Sequence, residues 1–120
     1  MGLVPIAKAI SSFPEITTIA LAQVSEALLL RQNQITQELL ILGSMPSAHI
    51  PEAVANGLTI TVGRPGMLPQ IQASAKALGR QARIQLKLDT GLHRIGFCPG
   101  PDLDIWIQEF RQCGPEVRLT

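Results

Sequence analysis

The residues of this chain best equipped for chemistry crowd into one segment, Ile84-Gln-Leu-Lys-Leu-Asp-Thr-Gly-Leu-His-Arg-Ile-Gly-Phe97. Read as a strand, its side chains alternate: Arg83, Gln85, Lys87 and Asp89 fall on one side of the pleat, and Ile84, Leu86 and Leu88 fall on the other. A strand whose apolar side is covered by helices must aim its charged side elsewhere. The interior of a parallel barrel is one place where a lysine and an aspartate have work to do. Asp89, Thr90, Gly91 and Arg94 then stand at the strand's C-terminal end, where ligands bind in barrels and open α/β sheets alike. On pattern alone the same segment also reads as a half-exposed strand with a solvated polar face.

The other reactive side chains are scattered. Cys98 and Cys113 lack paired metal-ligand spacing, and neither His49 nor His93 completes a set with them, which argues against a zinc site or a disulfide framework. Gly63-Arg-Pro-Gly66 lacks the glycine-rich continuation and the lysine of a phosphate-binding loop, so it reads as a turn between strand and helix. His49 sits beside a proline at a helix start, where a surface or capping role is the default. Trp106 and Phe110 are four apart on one helix, the spacing of core packing.

Composition narrows the function classes. The chain has 120 residues, 46% hydrophobic and 16% charged, an ordinary balance for one modest globular domain. A net charge of +1, no basic run and only 3% aromatic residues provide no electrostatic footprint for nucleic acid and no stacking platform for single strands. The apolar opening Gly2-Leu3-Val4-Pro5-Ile6-Ala7 is too short for a membrane span and follows no basic leader, so the expected compartment is a reducing cytoplasm. Val117-Arg118-Leu119-Thr120 reads as a strand that has just begun, and truncation at both ends is expected.

Strand and helix signals alternate along the chain. Ile6 to Phe13 reads as a helix ended by Pro14, and Ile16 to Ala22 as a β-branched, apolar strand. Ser25 is the expected cap of a helix through Leu30 and Arg31. Glu38 to Gly43 reads as a strand buried on both faces. A helix follows, with Ser47 as cap, Pro51 near its start and Gly57 as its stop. Leu58 to Val62 is the third strand, and a helix from about Leu68 to Leu78 is closed by Gly79. The fourth strand is the segment described above. After Pro99-Gly100-Pro101, a helix from about Leu103 to Cys113 takes Asp102 as its cap, and Val117 begins the fifth strand. This order predicts a parallel sheet with outer helices, either a small open doubly wound sheet or part of an eight-fold barrel.

Lys87-Leu-Asp-Thr-Gly-Leu-His-Arg-Ile-Gly-Phe97 closely resembles the Lys-x-Asp-Thr-Gly-Met-x-Arg-x-Gly-Phe signature of bacterial alanine racemases, pyridoxal-phosphate enzymes that interconvert L- and D-alanine. Glu26-Ala-Leu-Leu-Leu-Arg31 is similar to the family's Glu-Ala-x-x-Leu-Arg helix, and Ile41-Leu-Gly43 to its next strand. Gly2 to Ala7 resembles the residues that follow the family's Lys-x-Asn-Ala-Tyr-Gly-His cofactor motif. The resemblance implies a fold-type III (β/α)8 TIM barrel, of which residues 1–120 would hold the first crossover helix, strands two to five and the start of strand six, without the C-terminal β-domain.

It also implies roles. Arg94 matches the arginine that approaches the cofactor's phenolic oxygen and the substrate, a task suited to a planar fork that cannot lose its proton. Lys87 matches a lysine carbamylated in many members, which turns a cation into an anionic acceptor able to orient a neighbouring guanidinium. Leu92 replaces the usual methionine, a volume-conserving change. By the same resemblance the lysine that carries pyridoxal phosphate would lie before Met1. The opposing catalytic tyrosine would come from the other subunit of a homodimer, and the phosphate-binding loops from later in the barrel. The isolated chain is therefore expected to be inactive, and to be partly disordered or to aggregate unless it finds a partner. Other readings are a non-enzymatic pyridoxal-phosphate-binding homeostasis barrel, a serine or broad-specificity racemase, and a self-standing α/β module with a ligand at Asp89 to Arg94.

Overall fold

The computed structural model describes residues 2–89, 91 and 96–120. Five short strands alternate with helices: α1 (Leu3–Ser11), β1 (Thr18–Leu21), α2 (Val24–Gln32), β2 (Glu38–Ile41), a 3-10 turn (Ser47–His49) leading into α3 (Ile50–Ala55), β3 (Thr59–Val62), α4 (Met67–Leu78), β4 (Ala82–Leu86), α5 (Pro101–Gln112) and β5 (Val117–Leu119). All four strand pairings are parallel, and the spatial order is β1-β2-β3-β4-β5. That order decides between the two sheets the sequence allowed. A doubly wound sheet reverses its strand order at a switch point, whereas an arc of a barrel adds each strand beside the last. The described strands form such an arc.

Alternation along each strand sorts the two faces. Leu21, Leu39, Ile41, Ile60, Val62, Ala82, Ile84 and Val117 point into one core with Val24, Ala27 and Leu30 of α2, Ile50, Ala53 and Val54 of α3, and Met67, Leu68, Ile71 and Ala75 of α4. The opposite face carries Thr18, Glu38, Thr59, Thr61, Arg83, Gln85 and Arg118, with Leu40 between them. On it the Glu38 carboxylate accepts hydrogen bonds from Thr18 Oγ1 (3.2 Å) and Thr59 Oγ1 (2.8 Å). β3, in the middle of the sheet, is buried on both faces. β2 is buried on one face alone, contrary to the expectation for Glu38 to Gly43, because only its helix-facing residues are covered.

Arg31 fastens the N-terminal end of the sheet. Its Nε donates to the Asn56 carbonyl (3.0 Å), Nη1 to Ile35 (2.7 Å) and Gln37 (2.9 Å), and Nη2 to Gly57 (3.4 Å). One guanidinium thus ties α2 to the start of β2 and to the α3–β3 turn. Burial, and then the neighbouring charges of Arg83 and Arg80, push its pKa down from the ordinary value, yet an arginine remains a cation at any pH a folded protein meets.

Helix boundaries depart from expectation where capping was read from the wrong residue. Gln23, not Ser25, caps α2: its side chain takes the N3 amide while Glu26 Oε2 accepts from the Gln23 N–H (3.0 Å), a reciprocal box that leaves Ser25 inside the first turn. Gly100 occupies the cap position of α5, and Asp102 lies in the first turn with Asp104, where carboxylates favour the helix dipole. Pro46 precedes the 3-10 turn that Ser47 begins. α1 starts at Leu3, ahead of the expected Ile6, because Pro5 is tolerated in a first turn whose N–H groups have no helical partner.

Candidate functional site

β4 ends at Leu86, so Lys87 lies one residue beyond the strand. Its N–H still donates to the Val62 carbonyl (3.0 Å), which extends the contact with β3 by one step. Its side chain is exposed on the face shared with Gln85. Gln85 is held: Nε2 donates to Thr61 Oγ1 at 2.9 Å, and Thr61 is buried. The polar side of this strand thus carries a held amide at Gln85 and an exposed amine at Lys87.

The segment after Lys87 closes on itself. The Phe97 N–H donates to the Lys87 carbonyl (2.8 Å), and the Asp89 N–H donates to the Phe97 carbonyl (2.8 Å). Leu88 and Phe97 form a parallel bridge. Asp89 Oδ1 accepts from the Gly91 N–H (2.9 Å), a local turn of the kind aspartate favours. Gly96 has φ 127°, and a Cβ there would stand 3.0 Å from both the Lys87 carbonyl oxygen and the Asp89 nitrogen. The signature glycine is thus required by close approach of backbone to backbone. Phe97 anchors the closed loop: it is 2% exposed, its ring lies 6.3 Å from that of Trp106, and Trp106 stacks on Phe110 at 5.2 Å. The core packing expected of Trp106 and Phe110 is present, and it also supports the loop.

Arg94 falls outside the described residues, together with Thr90, Leu92, His93 and Ile95. Of the residues around it, Asp89, Gly91, Gly96 and Phe97 lie at the C-terminal end of β4.

Neighbouring loops converge on the same end of the sheet. A cleft of about 520 Å3 is lined by Gly63, Arg64 and Pro65 after β3 and by Gly96 to Asp102 after β4. Arg64 Nη2 donates to the Met45 carbonyl (2.8 Å) and Nη1 lies 3.4 Å from Ser44 Oγ, fastening the β3 loop to the β2 loop. The turn reading of Gly63 to Gly66 is correct, but the sequence did not single out Arg64 as a strut. Isolated arginines carry no signal of which carbonyl they will meet. A second cleft, about 310 Å3, lies at the ends of β1 and β2 among Gln23, Ser25, Ser44 and His49. His49 is half exposed, with Nδ1 4.0 Å from Glu52, in keeping with a surface role. Among the described residues no group of three potential metal ligands comes together, and Cys98 and Cys113 are free thiols. Burial, with Glu116 and Glu109 nearby, raises the Cys113 pKa, which keeps it a neutral thiol.

The model of the alanine racemase N-terminal domain matches residues 1–120. The chain belongs to that family. It is 37% identical over 98 residues to the alanine racemase of Desulforamulus reducens, an alignment covering 82% of this chain and 26% of that protein. The alanine racemase of Clostridium difficile 630 superposes with a TM-score of 0.88 at 32% identity, over 98% of this chain and 30% of that one. A histidine racemase from Leuconostoc mesenteroides superposes at 0.80 with 25% identity, over 95% of this chain and 30% of its own. The chain thus spans about a third or less of the length of these relatives, and its strands and helices are part of the family's N-terminal barrel. No helix among the described residues is long and apolar enough to cross a membrane.

Proposed function

We propose that residues 1–120 are part of the barrel domain of a cytoplasmic, homodimeric amino-acid racemase that interconverts L- and D-alanine with pyridoxal phosphate. The observation that carries this reading is the closed Lys87–Phe97 loop at the C-terminal end of a parallel arc, with Gly96 and Phe97 meeting Lys87 and Asp89 through backbone bonds. In this reading Arg94 binds cofactor and substrate with its two-pronged guanidinium, and Lys87, once carbamylated, is the anionic acceptor that fixes how that guanidinium is aimed.

Pyridoxal phosphate supplies an electron sink for the charge left when the α-proton departs. The described residues do not by themselves fit that group. Of the three lysines only Lys87 stands at the C-terminal end of the sheet, since Lys8 lies in α1 and Lys76 in α4. Arg64, the cation nearest the β3 loop, is already committed to Ser44 and Met45. The 120 residues also contain no tyrosine. Two-base racemisation needs a proton donor or acceptor on each face of the α-carbon; in this reading, which rests on the family likeness, both groups lie outside residues 1–120, and these residues alone are inactive. Alanine is the first choice of substrate, although the likeness to a histidine racemase supports an amino-acid site whose selectivity is set by other parts of the molecule.

A chimera tests the reading. Residues 1–120 replace the matching segment of the Clostridium difficile enzyme, and racemisation of L-alanine is followed by the D-alanine formed. The chimera should racemise, Arg94→Ala in it should lower kcat/KM by at least about tenfold, and the 120-residue chain alone should produce no D-alanine. A folded, cofactor-loaded chimera without activity would overturn the family role for this segment, and D-alanine from the chain alone would overturn the dependence on outside residues.

A further inference from the structure

We infer, resting on the racemase reading above, that Gln85, a residue outside the Lys87–Phe97 signature, is a positioning residue for Lys87. Held from behind by Thr61, its Oε1 accepts the one N–H that a Lys87 carbamate retains, and so turns the carbamate oxygens toward Arg94. Gln85 and Lys87 are alternate residues on the polar face of the arc, about 6.6 Å apart along the chain direction. Gln85 is half-buried and Lys87 exposed. The Gln85 amide is fixed sideways, since its Nε2 donates to Thr61 Oγ1 at 2.9 Å and Thr61 is 2% exposed on β3. The Lys87 backbone is fixed to the same strand through the bond from its N–H to the Val62 carbonyl (3.0 Å). β3 pairs with β2 and β4, and β4 with β3 and β5, so the Thr61–Gln85 contact lies between strands already paired on both sides.

With Nε2 committed to β3, the amide has Oε1 left to offer, and no described residue fills it. The carboxylates on this face are engaged. Glu38 takes the Thr18 and Thr59 hydroxyls, and Asp89 Oδ1 takes the Gly91 N–H. The residues two before and two after Gln85 are Arg83 and Lys87, whose cationic heads donate and cannot accept. Carbamylation joins the free amine of Lys87 to the carbon of carbon dioxide and releases one Nζ proton to solvent. A single N–H remains, next to an anionic pair of oxygens. An acceptor beneath the N–H and a guanidinium before the oxygens suit the two ends of that group. Thr61 acts only through Gln85: being buried, its hydroxyl sets where the amide can point.

The test uses the chimera described above, equilibrated with isotope-labelled bicarbonate, and reads the carbamate by carbon NMR; Lys87→Arg, which cannot form it, is the blank. Half-saturating carbon dioxide should rise at least about tenfold in Gln85→Leu, the loss of a hydrogen bond to a charged group. Thr61→Val should also raise it, and Thr61→Ser, which keeps the hydroxyl, should not. Gln85→Leu combined with Thr61→Val should match Gln85→Leu alone, because Thr61 acts through the amide. Unchanged half-saturation in Gln85→Leu or Thr61→Val, or effects of the two positions that add, would overturn the role. Should Gln85→Leu fail to fold, Gln85→Glu decides. It has nearly the same shape and can accept from Thr61, but a carboxylate beside a forming carbamate should suppress the resonance, and a full resonance overturns the role. No resonance in the wild-type chimera overturns it whatever the activity. An inactive chimera that shows the resonance, and loses it in Gln85→Leu, overturns the racemase reading and supports Gln85 in its role.

Discussion

Replacing Gly96 with alanine should open the site loop and leave the rest of the fold standing. Gly96 has φ 127°, a conformation nearly reserved for glycine, and an added Cβ would lie 3.0 Å from the Lys87 oxygen, 3.0 Å from the Asp89 nitrogen and 3.1 Å from the Leu88 carbonyl carbon. Every one of these atoms is backbone, so no side chain can swing aside. Holding alanine in such a conformation costs about 1–3 kcal/mol. Relieving the crowding separates the strands of the loop and endangers two hydrogen bonds, Phe97 to Lys87 and Asp89 to Phe97, each worth about 0.5–1.5 kcal/mol net. Measured in the chimera, where the barrel is completed, the sum, roughly 2–6 kcal/mol, is below the order of 10 kcal/mol expected of a folded domain. Local opening is therefore cheaper than unfolding. Exchange protection of the Asp89 and Phe97 amides should fall by about a hundredfold or more, the equivalent of about 3 kcal/mol, while β3 amides keep theirs. Gly91→Ala is the control, because Gly91 has φ 138° but nothing within 4 Å of its Cβ. It should lose less protection than Gly96→Ala. Equal losses in the two variants, or full protection in Gly96→Ala, would refute the argument from close approach.

Two further predictions concern what holds the arc together. Arg31→Ala abandons four backbone carbonyls at the N-terminal end of the sheet and should cost about 3 kcal/mol or more in urea unfolding; Arg31→Lys, a point charge without the fork, should recover only part of it, and full recovery would count against the bridging role. Glu116 accepts from Gln72 Nε2 (2.6 Å) and the Gly114 N–H (3.2 Å), with Lys76 at 3.8 Å, and these hold its carboxyl below the usual range, the Gln72 bond foremost. A depressed carboxyl contributes stability that is present above its unfolded pKa and is lost as pH falls through the lower folded value. The wild type should therefore lose its advantage over Glu116→Gln as the solution is acidified through that window, and parallel stability curves would refute the assignment.

Much of the architecture was legible in the residues because it depends on local period. β-branched runs and glycine or proline punctuation located all five strands, and the polar alternation of Arg83 and Gln85 is that of β4. Caps were legible only in part. Ser25 has the usual capping chemistry, yet Gln23 and Glu26 satisfy the same amides reciprocally, and a single favourable residue type cannot announce a competitor two positions away. The burial of β2 was misjudged for a related reason: an apolar run says a strand can be covered, not that a neighbour covers it.

The sequence by itself determined the family, the parallel α/β alternation and the segment that carries Lys87 and Arg94, because side-chain period and a dense motif are written along the chain. Tertiary structure decided the rest. It showed that the strands add in a single row, that Lys87 lies just past the end of β4, that Gly96 is needed because two backbones touch, and that Arg31 and Arg64 serve as struts. These depend on hydrogen bonds between residues distant in the chain, and nothing in the spacing of side chains encodes which carbonyl a guanidinium or an amide will meet after folding.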